Sequence, residues 1–362
     1  MNTEVFVLNI ENIFKGVICE NDLKKCKALP NGNDNPLVYL FTQEVIDSSN
    51  SFGYTKENVI SSINIINNCD PNWLIKNKSY LLDGNEIHNA YAALGELCCY
   101  GYLISAFGAD YVSAIATEKT PTPDFCVSDD NGEKVYIEAN TVQMNGEEYD
   151  ELKEFKSNKN SQTNQRITVR EHSIVPFGRQ NARCVAENVI HKLCQIKDDE
   201  NQFYKDYPSA LWVDLQSPHI NILHKRAESS CPIITFHETI YSNELWYALY
   251  GEKGMPIYEN YDPIFNIRQA PLMLHNGRFH ISNQSIIDAV IFCLPCSTVI
   301  YQNPHSKKPI PKWFMEKTFL MRWFSFQGSK TNYPSNDLEK QLEIDKNIIN
   351  SFQKSMDNKN LK

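Results

Sequence analysis

Two acids stand where their types and spacing could do chemistry. Asp124 lies in Thr122-Pro123-Asp124-Phe125, and fourteen residues later Glu138 lies in Tyr136-Ile137-Glu138-Ala139-Asn140. Pro123 to Val127 and Val135 to Ala139 are short apolar runs, and Ser128-Asp129-Asp130-Asn131-Gly132 between them is a strong turn signal, so the stretch reads as a β-hairpin. Side chains alternate along a strand. Tyr136, Glu138 and Asn140 therefore share one face, and Val135, Ile137 and Ala139 the other. With the turn centred on Asn131, Val127 pairs with Val135 and Asp124 falls opposite Glu138 on the same face; a slip of one residue would part them. Two converging carboxylates suit a hard divalent cation. Mg²⁺ takes oxygen ligands, keeps several waters, and needs only one or two protein carboxylates beside substrate phosphate oxygens. So held, it polarises a phosphodiester and lowers the pKa of an attacking water. A general acid/base pair is the other chemistry open to two carboxylates, and nothing in the spacing favours it.

The elements that must position these acids follow from periodicity. Asn85 to Phe107 reads as a long helix opened by Asp83-Gly84, with Ala90, Ala93, Leu94, Leu97, Cys98, Gly101 and Ile104 as its buried stripe. Glu96 lies within this run of apolar and small residues, where an unpaired charge is costly. Strands are expected at Tyr111 to Ala116, at Ala210 to Leu215 after Pro208, at Ile233 to Phe236, at Ala289 to Leu294 and at Val299 to Gln302. Thr141 to Arg170 reads as a long polar loop and Asn181 to Ile196 as a helix. Leu245 to Tyr250 is an aromatic-rich helical stretch whose Trp246, Tyr247 and Tyr250 read as core. Ahead of these, Val5 to Ile10 and Pro36 to Phe41 are strand candidates, and Thr55 to Asn67 has helical spacing. Leu338 to Phe352 can form an amphipathic helix near the end.

A helix carrying Gly95-Glu96-Leu97, then Pro123-Asp124, a hairpin turn and an acid in an apolar strand resembles the core of the PD-(D/E)XK, or restriction endonuclease-like, nuclease superfamily. The resemblance covers about a third of the chain, roughly Asn85 to Leu215. It implies an α/β fold with a mixed β-sheet core flanked by helices, here with N- and C-terminal α/β extensions. The chain divides on this reading into an extension at 1–84, the nuclease-like core and its elaborations at 85–305, and a basic segment with a helical tail at 306–362. By position, Asp124 and Glu138 would bind Mg²⁺ (or Mn²⁺), with Glu96 as the additional acid near the metal. The departure is Asn140, where the family pattern has a lysine. An amide can orient water or substrate but supplies no charge. Some members carry that lysine on a neighbouring helix; Lys192 and Lys197 are the candidates, and Lys192, in the body of its helix, is preferred. The implied activity is metal-dependent hydrolysis of phosphodiester bonds in DNA, in the manner of an endonuclease, with defence against foreign DNA as one setting. Symmetric dimers are common in the family, so a homo-oligomer is an open expectation. The alternative is a catalytically degenerate module of the same fold that binds nucleic acid or a protein.

Composition sets the frame. The chain has 362 residues, 42% hydrophobic and 22% charged, enough to bury a core without disulfide or metal staples. Its net charge of −9 is the wrong sign for coating nucleic acid or an anionic membrane through bulk charge. The charge is uneven, however. Residues 151–192 carry eight Lys and Arg against four Asp and Glu, and residues 306–330 carry six against one, which leaves −18 on the remainder. A phosphate backbone could pass along the first segment. The amino terminus lacks the pattern of a secretory signal, and the most apolar uncharged runs, 97–109 and 289–301, fall short of the roughly 20 residues of a membrane span. Eleven cysteines, an odd count without a disulfide framework, fit reduced thiols in the cytoplasm. The CxxC of Cys293 and Cys296 has no second ligand pair and reads as structural. No GxSxG, GxxxxGK[ST], HExxH or GxGxxG motif occurs.

Overall fold

The computed structural model describes residues 17–42, 54, 56–116, 121–143, 193, 202–204, 206–216, 233–236, 239–242, 244–255, 275–294 and 297–317. Val5 to Ile10, most of the 141–170 loop, the helix expected at 181–196 with Lys192 and Lys197, the basic segment 151–192, Cys296 and the 338–352 helix lie outside the described residues, Leu193 excepted. The chain forms two compact units built from interleaved stretches, the first from 1–141, 198–221 and 286–323, and the second from 142–197, 222–285 and 324–362.

The first unit contains a six-stranded mixed sheet with flanking helices. Its helices are α1 (Glu20–Lys27), α2 (Pro36–Thr42), α3 (Lys56–Cys69), α4 (Pro71–Leu81) and α5 (Ile87–Phe107). The sheet order is β1 (Val112–Ala114), β2 (Phe125–Ser128), β3 (Lys134–Thr141), β4 (Ser209–Asp214), β7 (Ala289–Leu294) and β8 (Ser297–Gln302). The β1–β2, β2–β3 and β7–β8 pairs are antiparallel, whereas β3–β4 and β4–β7 are parallel. Central strands buried on both faces lose the alternation of a half-wet strand. Ser-Ala-Leu-Trp-Val-Asp of β4 and Ala-Val-Ile-Phe-Cys-Leu of β7 are accordingly buried at every position.

Pro36 to Phe41, expected as a strand, is helical. Asn35 decides this: its Oδ1 accepts from the Leu37 and Val38 N–H groups at 3.0 and 3.2 Å, an N-terminal cap, and Pro36 supplies a pre-set helical φ in the first turn. The apolar run reads equally well in either state by composition alone.

Helix α5 is the spine of this unit. The stripe read from the sequence is buried throughout, packed against α3, α4 and the sheet. Among the described residues α5 is the one helix long and apolar enough to cross a membrane, and 72% of that window is buried inside the protein, as in a core helix. Two glycines let it sit close. A Cβ on Gly101 would lie 2.6 Å from Ser62 Cα of α3, and one on Gly95 would run into Thr141 Oγ1 and Asp214 Oδ2 at the ends of β3 and β4.

In the second unit, β5 (Ile233–Phe236) and β6 (Thr239–Ser242) form an antiparallel hairpin, and α6 (Glu244–Tyr250) follows. Trp246 and Tyr247 are fully buried, in keeping with their reading as core. The Tyr247 hydroxyl sits between the carbonyls of Glu252 and His275, at 2.8 and 2.6 Å. Back in the first unit, a short helix α7 (Lys312–Lys317) lays Phe314 on Phe107 of α5 with ring centroids 4.9 Å apart.

Candidate functional site

The hairpin has the expected register. Val127 pairs with Val135 and Phe125 with Ile137, so Asp124 stands opposite Glu138. Asp129 builds the turn, its Oδ1 accepting from the Asn131 and Glu133 N–H groups at 2.9 and 2.8 Å, while Gly132 takes the positive φ of 80° that closing it demands. The backbone ladder continues through Asp124, which donates to Ile137 O at 3.0 Å and accepts from Ile115 N at 2.8 Å. Its carboxylate turns inward along the pair: Oδ2 accepts from the Ala139 N–H at 2.8 Å. On the neighbouring position of β3, Glu138 Oε1 accepts from Gln202 Nε2 at 3.0 Å, and Glu138 Oε2 is buried with no hydrogen-bond partner. Asn140, two residues along on the same face, also has a buried side-chain oxygen without a partner. Two unpaired oxygens on one face of β3 are what a cation or a water would satisfy.

Glu96 reaches the same place from α5. Burial raises its pKa to about 7, the Asp124 charge adds to the rise, and Lys76 of α4 counteracts it in part. Burial is the main cause for Glu138, followed by the charges of Asp124 and Glu96, and it is pushed to about 9; Asp124 rises to about 6 against the opposing Ala139 N–H. Three carboxylates that feel one another this way lie close together in a poorly solvated site. Among the described residues, no three His, Cys, Asp or Glu side chains form a ready-made ligand set. The site is thus a carboxylate pair with a third acid in electrostatic range. That donor set, all oxygen and net negative with unpaired acceptors, fits Mg²⁺ or Mn²⁺, which keep waters and take the rest of their ligands from substrate.

The sequence reading missed one acid. Asp214, the last residue of β4, is fully buried opposite Thr141. The Tyr54 hydroxyl donates to its Oδ2 and the Gln216 N–H to its Oδ1 at 3.0 Å, yet burial still holds its pKa up at about 6. A carboxylate closing the apolar run Ala210 to Val213 was the available signal. Gln202 offered none, since its role depends on a tertiary crossing.

Gly95 links this buried acid to the site, because the close approach it permits sets the height of Glu96, the next residue. Gly95→Ala is expected to cost about 1–3 kcal/mol in overpacking against Thr141 and Asp214, reduced by about 1 kcal/mol gained in helix propensity. A urea unfolding midpoint above that of the wild type would contradict the tight seat of α5.

Compared with protein-family models, with curated proteins and with solved structures, the chain matches none.

Proposed function

We propose that the chain is a Mg²⁺-dependent nuclease of the restriction endonuclease-like type, hydrolysing phosphodiester bonds in DNA. The observation that carries this reading is the apposition of Asp124 and Glu138 across an antiparallel pair, both largely buried and with an oxygen of Glu138 left unpaired. Burying two like charges side by side without a counter-ion is unfavourable, and a divalent cation is the usual remedy. Asp124 and Glu138 would hold the ion, with Glu96 beside it; when bound, the ion polarises the phosphodiester and acidifies the water that attacks it. The chain's own residues do the rest. The Ala139 N–H fixes one oxygen of Asp124, Gln202 fixes one oxygen of Glu138, and each acid keeps its other oxygen for the ion. Asn140, on the same strand face, orients the water or a phosphate oxygen. Lys192 remains the candidate for the positive charge that Asn140 does not supply.

A second reading rests on Asn140 itself. With an amide where the family pattern has a lysine, the module could bind nucleic acid or a protein without cutting. Incubation of supercoiled and linear DNA, and of RNA, with Mg²⁺ or Mn²⁺ separates the two. Metal-dependent cleavage lost in both Asp124→Ala and Glu138→Ala is the expected result. Cleavage that survives both substitutions would overturn the site, and folded wild-type protein that cuts no nucleic acid would leave the binding module as the better account.

A further inference from the structure

Beside the carboxylates, on the same face of β3, lies a cluster of tyrosines that the metal site does not use. Tyr136 is two residues from Glu138, about 6.6 Å along the strand. Its ring meets Tyr204 edge-on with centroids 4.6 Å apart and Tyr207 at 5.3 Å. The segment that brings these rings also brings Gln202, whose amide holds Glu138. It is firmly tied: Lys308 Nζ donates to the carbonyls of both Tyr204 and Tyr207 at 2.7 Å, and Tyr136 N–H donates to Pro208 O at 2.9 Å. Lys308 also lies 3.8 Å from Asp288, which in turn accepts from Ser209 N–H at 2.8 Å. The outermost ring, Tyr207, is 44% exposed despite this anchoring. An exposed aromatic ring on a backbone already fixed by hydrogen bonds loses less entropy when something stacks on it, and the stack buries apolar area of both partners.

We propose that Tyr207, backed by Tyr204 and Tyr136, is a stacking platform for an unpaired nucleobase adjoining the phosphate held at Asp124 and Glu138. The inference rests on the nuclease reading and narrows its substrate class. A ring can stack face to face only on a base whose face is free, so the preferred substrate is a single strand, a frayed end or a flap, in preference to continuous duplex. Stacking is tolerant of base identity because every base has a π-face, so the site is expected to discriminate strandedness before sequence. Lys308, part of the basic 306–330 segment, then serves to hold the platform, while its exposed neighbour Lys307 is free to face phosphate.

The test uses fluorescence anisotropy of the full chain in Ca²⁺, with a labelled single-stranded oligonucleotide and the same strand carrying abasic sites. Wild-type protein is expected to bind the intact strand about 5- to 150-fold more tightly than the abasic one, from about 1–3 kcal/mol per stacked base. Tyr207→Ala should remove that preference by weakening the intact strand alone, and Tyr207→Phe should restore it. Equal affinities of the wild type for intact and abasic strands, or an intact preference that persists in Tyr207→Ala, would overturn the platform. The abasic comparison needs no variant, so a folding defect cannot mask the answer. Failure of the nuclease reading shows separately: base-dependent binding without metal-dependent cleavage would leave the platform standing and remove the hydrolysis.

Discussion

Glu138→Gln is expected to abolish metal-dependent cleavage and, in metal-free buffer, to make the protein more stable. The two effects come from the same atoms. Loss of a carboxylate from the cation's pair removes several kcal/mol of transition-state stabilisation, or at least about two to three orders of magnitude in rate. Stability moves the other way. Glu138 is raised from 4.5 to about 9, chiefly by burial and then by Asp124 and Glu96. Between those values the folded state holds a proton that the unfolded chain has released, so folding becomes less favourable as pH rises through the window, by up to about 1.4 kcal/mol per pH unit. Glutamine has nothing to titrate. Its carbonyl can still accept from Gln202, and its amide is uncharged where Glu138 Oε2 has no partner. The gain in Tm should be absent near pH 4.5 and should grow towards pH 9 in metal-free buffer. Thermal scans over that range check it. A variant less stable than the wild type at pH 8 would show that Glu138 carries a structural contact instead of an uncompensated charge.

How much of this could be read from the residues differs by element, for physical reasons. The hairpin register was legible because two local signals agree: strict alternation over Val135 to Asn140 and a turn whose Asp129 and Gly132 have defined jobs. Helix α5 was legible because its apolar stripe is long. Pro36 to Phe41 was misread because a short apolar run has no period of its own, and the decision fell to the Asn35 cap. Thr141 shows the limit from another side. It reads as the first residue of the polar 141–170 loop, yet it is the last residue of β3, donates to the Tyr91 carbonyl of α5 at 3.4 Å and shares the Gly95 contact with Asp214. Such contacts join residues from distant parts of the chain, and one sequence carries no mark of them. The Asp124 and Glu138 pair escaped that limit because a tight turn brings them together locally.

Addition of Mg²⁺, or of Ca²⁺ as a non-hydrolytic substitute, is expected to raise the Tm strongly at pH 8.5 and weakly at pH 5.5. A divalent cation competes with protons for the same oxygens, so its apparent affinity falls wherever the pair must be deprotonated to bind it. In the metal-free protein burial raises Asp124 to about 6 against the Ala139 N–H, and burial together with the Asp124 and Glu96 charges raises Glu138 to about 9. At pH 5.5 the pair therefore holds more protons than at pH 8.5, and a cation must displace them. At a metal concentration 100-fold above Kd the stabilisation is about 2.7 kcal/mol, roughly 5–10 °C for a unit of this size. In Glu138→Gln and Asp124→Asn the shift should disappear at both pH values. A shift of equal size at pH 5.5 and 8.5, or one that survives both substitutions, would mean that the ion binds elsewhere. The direction discriminates further: surface carboxylates titrate below pH 5 and would give the same metal response at both values, so only a pair whose protons are held up by burial produces the difference.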